Sequence, residues 1–305
     1  MLTYVLAILA ACANATSSVL QRRANLEVPR SENLTLRLIW SLMHEPVWFG
    51  GILAIIAGFL LQASALSSGQ LATVEPILVA ELPFTLILAA WVFRQRMGRA
   101  EWWPTLAMTA GVAGLLYFLS PSSGRSENIR WYVWVTGATA NLIVIGILVA
   151  VGRRVQNAHR AALLGIAAGA GFGLTAALIK GTTQTLAHGL IALVTGWQVY
   201  AMIVSGLFGM FLTQSALNAG QLVAAQPGLT MTDPVVSIMW GVLAFGEMVR
   251  GGWHAAFAGV CAIIIGVGVV ALAKSPLLSG SPEERESAKE SPRHVGRPRN
   301  ATRPR

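Results

Sequence analysis

Residues 58–83 read GFLLQASALSSGQLATVEPILVAELP, and residues 209–234 read GMFLTQSALNAGQLVAAQPGLTMTDP. At an offset of 151, without a gap, Gly58 falls on Gly209, Leu61 on Leu212, Ser64-Ala65-Leu66 on Ser215-Ala216-Leu217, and Gly69-Gln70-Leu71 on Gly220-Gln221-Leu222. Pro76 falls on Pro227, Leu78 on Leu229, Pro83 on Pro234 and, further on, Trp102 on Trp253. Gly, Ala and Leu match by chance in apolar sequence. Two prolines seven apart in both copies, beside a shared Gly-Gln-Leu, do not. The chain therefore carries an internal repeat.

Both copies sit in sequence of one kind. Of 305 residues, 54% are hydrophobic and only 11% are Asp, Glu, Lys or Arg, against about 25% charged in a soluble domain. That balance excludes a disordered chain and an ordinary soluble enzyme. No charge occurs in 1–21, 46–74, 102–124, 131–152, 161–179, 181–232, 234–246 or 251–273. A helix needs about 20 apolar residues to span a bilayer, and barrel strands alternate over about ten. The runs therefore predict helices, divided as 2–21, 46–66, 70–93, 102–120, 131–151, 161–180, 191–217, 221–246 and 253–273. The longest run divides at Asn218-Ala219-Gly220, a turn-like tripeptide.

Basic residues set the orientation. With the N-terminus outside, 18 of the 22 fall in cytoplasmic segments and four, Arg125, Arg130, Lys180 and Arg250, fall outside. That split follows the positive-inside rule, so the net charge of +9 reflects topology and not a nucleic-acid partner. Leu9-Ala10-Ala11-Cys12 looks like a cleavage box, but no positive n-region precedes it, so the first span is expected to stay as an anchor. Cys12 and Cys261 lie in apolar runs and imply no disulfide.

Span one also resembles span six, with Leu20 and Arg22 falling on Leu178 and Lys180 at a slightly larger offset. Spans one to four then correspond to spans six to nine, and span five is unpaired. Matching spans are five apart, an odd number, so the copies face opposite ways across the membrane. The expected fold is an all-α membrane protein of nine transmembrane helices, two inverted four-helix repeats and a central helix. Its parts are a first repeat over 1–120, a linker and central helix over 121–158, a second repeat over 159–273 and a disordered basic tail over 274–305. Inverted repeats characterise secondary transporters, whose binding site lies near the midplane.

The candidate path follows from the polar residues inside spans. Pro76, Pro83, Pro227 and Pro234 kink or open two helices, and freed carbonyls must then line a cavity or meet polar groups. Glu75, Glu81 and Asp233 sit well inside spans with no Lys or Arg at their depth, while Glu247 lies at a span end. An intramembrane acid costs about 2.5–3.5 kcal/mol and marks an ion or substrate path. Each is either a neutral acid or held against a cation. Gln62, Gln70, Gln221 and Gln226 complete the set, Gln226 standing where Glu75 stands in the first copy. Asn14 and Asn141 are single polar residues whose default reading is helix-to-helix adhesion, and Gly165, Gly169 and Gly173 predict close helix approach.

No P-loop, nucleotide fingerprint or metal motif appears, and the five histidines lie at span edges, in a loop or in the tail. No cofactor is expected. No nucleophile–base pair points to an enzyme. Leu34, Leu38, Ile39 and Leu42 predict a short amphipathic helix on the inner membrane surface.

The paired repeats, with Ala-Leu ending one span and a Pro-containing span following, resemble the drug/metabolite transporter (EamA-like) superfamily over about 1–273. His44-Glu45-Pro46-Val47-Trp48-Phe49-Gly50 is similar to the Glu-Pro-Leu-Trp-Trp-x-Gly entry to span two of its nine-span branch, the NIPA-type magnesium transporters. Gly58 and Pro76 match fixed points of that branch's next motif. The chain departs from it at Phe59, where the branch has an acid, at Gln62, where it has Asn, and at Gly69-Gln70, where it has Ala-Pro. The resemblance implies a secondary transporter of the plasma (inner) membrane and no particular substrate, and the intramembrane acids suit a small solute coupled to protons or another cation. An alternative is Mg²⁺ transport, with Glu75, Glu81 and Asp233 as oxygen ligands. A non-transporting scaffold is the third reading, and homodimer formation stays open.

Overall fold

The computed structural model describes residues 1–27, 46–94, 97–122, 124, 129–155, 157–219 and 222–274. The expected surface helix near 34–42 and the tail beyond Lys274 lie outside the described residues. Every named element is an α-helix: α1 Leu2–Glu27, α2 Pro46–Ser68, α3 Leu71–Leu78, α4 Glu81–Val92, α5 Arg99–Leu119, α6 Trp131–Gly152, α7 Asn157–Leu186, α8 Leu190–Thr195, α9 Trp197–Ala219, α10 Leu222–Leu243 and α11 Trp253–Ala273. One isolated antiparallel bridge joins Ser122 to Met248. Cys12 and Cys261 are free thiols.

Among the described residues eight helices are long and apolar enough to cross a membrane, with α3 and α4 together forming one of them. The expected span 221–246 is a helix of 22 residues, α10. It is not among the eight, because Gln226, Thr230, Thr232, Asp233 and two prolines dilute its apolar content. Elsewhere the expected boundaries shift. Span six runs on past Lys180 to Leu186, and a short helix, α8, precedes α9.

The two Pro-Pro helices behave differently. Pro83 cannot donate to Val79, and the chain tightens there instead: Ala80 N–H donates to Ile77 at 2.9 Å and Leu82 N–H to Val79 at 3.2 Å. This break separates α3 from α4. Through Pro227 and Pro234, by contrast, α10 stays continuous. Its neighbour explains why. A Cβ added to Gly165 would strike the backbone of Ala225, one on Gly169 the carbonyl of Leu229, and one on Gly173 the side chain of Val236. The contact pairs advance together, so α7 and α10 run parallel with backbones in touch, and α10 is supported along its length.

Burial separates inner from outer helices. The apolar window of α7 is 72% buried, whereas those of α6 and α9 are 17% buried and turn Ile143, Ile147, Leu207 and Phe211 outward. Around α7 pack α10, α9 and α6, while α1 packs on α2, α3 and α4, and α5 on α11. The two groups meet where α3 lies on α10 and α2 on α7. Two contacts occupy matching places in the repeat. Gly58 leaves room for Asn14 of α1, and Gly209 leaves room for Phe172 of α7.

At the start of α5 the Glu101 carboxylate accepts the Gly98 N–H at 2.8 Å, the return half of a capping box. Replacing Glu101 by Ala is expected to cost about 1 kcal/mol, read as a lowered unfolding temperature in detergent.

Candidate functional site

The site is a half-open cavity of about 930 Å³ lined by α1, α2, the α3–α4 break, α7, α9 and α10. Its position follows from the break. Ending α3 at Leu78 and restarting at Glu81 turns Leu78, Val79, Glu81 and Leu82 into the wall, one turn beyond Glu75. From the other side α10 contributes Gln226, Leu229, Thr230, Asp233 and Pro234. Phe59 and Gln62 of α2, Asn14 of α1, Phe172 and Thr175 of α7 and Met202 of α9 complete the parts that matter here.

Its electrostatics are one-sided. Three carboxylates line the cavity, and none of its lining residues is Lys, Arg or His. Glu75 is 3% exposed and accepts a hydrogen bond from Gln62 Nε2 at 3.2 Å. Asp233 lies close enough to Glu75 for the two charges to repel. One turn along α10, Ser237 Oγ donates to Asp233 Oδ1 at 3.4 Å, and that hydroxyl is buried. Asn14 of α1 and Glu81 of α4 both line the cavity. Gln226 Nε2 donates to Thr230 Oγ1 at 3.2 Å, and Thr175 Oγ1 donates to Ser205 Oγ at 2.9 Å. Neutral hydrogen bonds thus hold Glu75 and Asp233 in place, and a positively charged group entering the cavity would meet carboxylates on two faces. No group of three or more His, Cys, Asp or Glu among the described residues is arranged to hold a metal ion.

Of the residues expected from sequence, Glu75, Glu81, Asp233, Gln62 and Gln226 share this cavity, as does Pro234. Gln70 does not line it. It precedes α3, and its Oε1 accepts from Thr73 Oγ1 at 3.1 Å. Gln221 lies outside the described residues. Pro76 is buried inside α3, Pro83 follows the break, and Pro227 lies within the continuous α10.

Sequence reasoning passed over Asn14, read as adhesion, and Thr175 and Thr230. The signal for Asn14 was Gly58, a matched glycine whose missing Cβ makes its room. It also misplaced the end of α7. Lys180 lies within the helix and is buried, with Nζ 2.6 Å from Glu247 Oε1 and 2.9 Å from the Gly69 carbonyl.

Comparison with known proteins adds one relative. The chain is 27% identical over 278 residues to an uncharacterized protein of Corynebacterium glutamicum, an alignment covering 90% of this chain and 96% of that one. No protein-family model matches, and no solved structure matches. The fold and the cavity define a multi-pass helical membrane protein with an acidic cavity between its helices.

Proposed function

We propose that the protein is a secondary transporter of small solutes, similar to the drug/metabolite transporters, in the plasma (inner) membrane with its C-terminus cytoplasmic. In this reading α10 is a ninth span. Two inverted halves, built on α1–α5 and α7–α11, rock to expose the cavity to each side in turn. Glu75, Glu81 and Asp233 hold the positive charge that moves, either on the solute or as a coupling proton or cation. The observation that carries this reading is the cavity itself, with carboxylates from α3, α4 and α10 and no basic side chain in its lining. Supporting it are the gapless offset of 151 and the paired contacts of Gly58 with Asn14 and Gly209 with Phe172. The same acids give Mg²⁺ transport as the second reading, favoured by the likeness of the α2 entry to the NIPA-type branch.

The test is flux through proteoliposomes with a pH dye trapped inside. A panel of cationic, zwitterionic and neutral small solutes is offered, with and without a proton gradient. Protein-dependent proton movement on adding a solute is the expected result. Gradient-independent Mg²⁺ entry moves the assignment to the second reading, and no flux of any panel member, Mg²⁺ included, leaves a scaffold.

A further inference from the structure

At the end of the bundle that carries the N-terminus, four segments converge. Thr3 Oγ1 donates to the Ser68 carbonyl at 3.1 Å, which places the α2–α3 corner there. Beside that corner the Glu247 carboxylate uses both oxygens. Oε1 accepts the Leu71 N–H at 2.8 Å and the Lys180 ammonium at 2.6 Å, while Oε2 accepts the Ala72 N–H at 3.0 Å. Lys180 also donates to the Gly69 carbonyl at 2.9 Å. These two N–H groups head α3 and have no partner within the helix, so an anion suits them. The segment carrying Glu247 is pinned in turn: Ser122 N–H donates to Met248 at 2.9 Å, and Arg250 N–H to Leu119 at 2.9 Å.

We propose that the Lys180–Glu247 pair, clamped on the α2–α3 corner, is the gate that closes the cavity at the N-terminal end of the bundle. This rests on the transporter reading and adds to it. The position is right: Ile179, next to Lys180, lines the cavity, and Glu75 lies one turn beyond Leu71. The bonds also join the two halves that must part. Gly69, Leu71, Ala72 and Leu119, which accepts from Arg250, belong to the first half, and Lys180, Glu247 and Arg250 to the second.

Energetics favour a moving part over a permanent brace. A buried ion pair is often no more stable than apolar residues of the same volume, because desolvation offsets the attraction. Its charges regain hydration when they separate at the end of a bundle, which a pair at mid-membrane does not. Beside the pair, the Phe245 ring centroid lies 5.0 Å from the Lys180 nitrogen and packs with Trp134, whose ring centroid is 5.3 Å from that of Trp240. The repeat makes the device one-sided. At the offset of 151, Met97 and Arg99 match Met248 and Arg250, and Arg96 takes the place of Glu247, while at the larger offset of 158 that relates span one to span six Arg22 takes the place of Lys180. Two positive residues stand where the clamp has opposite charges, so the sequence does not repeat it at the other end.

The test uses the full chain in membranes, with Cys12→Ala and Cys261→Ala as background and Met202→Cys as a reporter in the cavity wall. A membrane-impermeant maleimide is applied from the N-terminal face, and solute flux of the native protein is measured separately. Glu247→Gln and Lys180→Gln are each expected to raise the labelling rate about tenfold or more, since either change removes stabilisation of the closed state alone. Lys180→Arg keeps the charge and should stay within about twofold of the parent. Unchanged labelling in both Gln variants overturns the gate, as does an equal rise in Lys180→Arg. Labelling that rises as expected in a protein that moves no solute leaves the gate standing and removes the transporter reading.

Discussion

Asp233→Asn and Glu75→Gln are each expected to reduce proton-coupled flux by about 10- to 100-fold. Both replacements keep the shape of the side chain and remove its charge. Glu75 can keep its contact with Gln62, and Asp233 its contact with Ser237, because an amide oxygen also accepts. What disappears is the acceptor for a positive charge in a cavity whose lining has no counter-ion. A hydrogen bond to a charged group contributes about 1.5–3 kcal/mol, and each 1.4 kcal/mol is a factor of ten. The reading is the rate of internal pH change in dye-loaded proteoliposomes. Flux that survives both substitutions removes these acids from the path. Loss of flux together with an unchanged unfolding temperature assigns the effect to charge and not to folding.

The second large effect is structural. Gly169→Leu is expected to destabilise the protein by about 1–3 kcal/mol and to abolish flux. Gly169 faces the Leu229 carbonyl and the Asp233 N–H across the α7–α10 contact, and those atoms are backbone, which cannot turn aside as a flexible side chain would. An inserted side chain must push the helices apart, and overpacking of this kind carries that cost. Asp233 moves with α10, so the cavity loses its geometry along with its stability. Gly146→Leu is the control, because a Cβ at Gly146 meets nothing within 4 Å. Unfolding temperature in detergent separates the two. An equal effect at both positions would mean that the close approach of α7 and α10 has no special role.

Much of the fold was legible in the sequence because lipid imposes one rule, that backbone groups bond within their own helix, and charge-free runs of the right length reveal it. The acids were legible for the same reason. Glu75, Glu81 and Asp233 are conspicuous where a charge is costly, and the cavity gathers all three. Other features were hidden because they depend on contacts between distant segments. Lys180 and Glu247 are 67 residues apart, and each stands at the end of a charge-free run, where a charge looks solvated. Gln70 looked like path because its copy repeats as Gln221, yet it serves the start of α3 through Thr73. The contrast between the broken α3–α4 and the continuous α10 was also invisible, because the prolines are the same and the glycine face of α7 makes the difference.

The claim on which the account stands is that the two halves are inverted. It is tested most directly by the sidedness of two matched corners, the end of α2 and the end of α9. In the Cys12→Ala, Cys261→Ala background, a cysteine at Ser67 and one at Ala219 are reacted with an impermeant maleimide from each face in turn. With inverted halves, the cysteine at 67 reacts only from the face that bears the N-terminus, and the cysteine at 219 only from the opposite face. Reaction of both from the same face would contradict it.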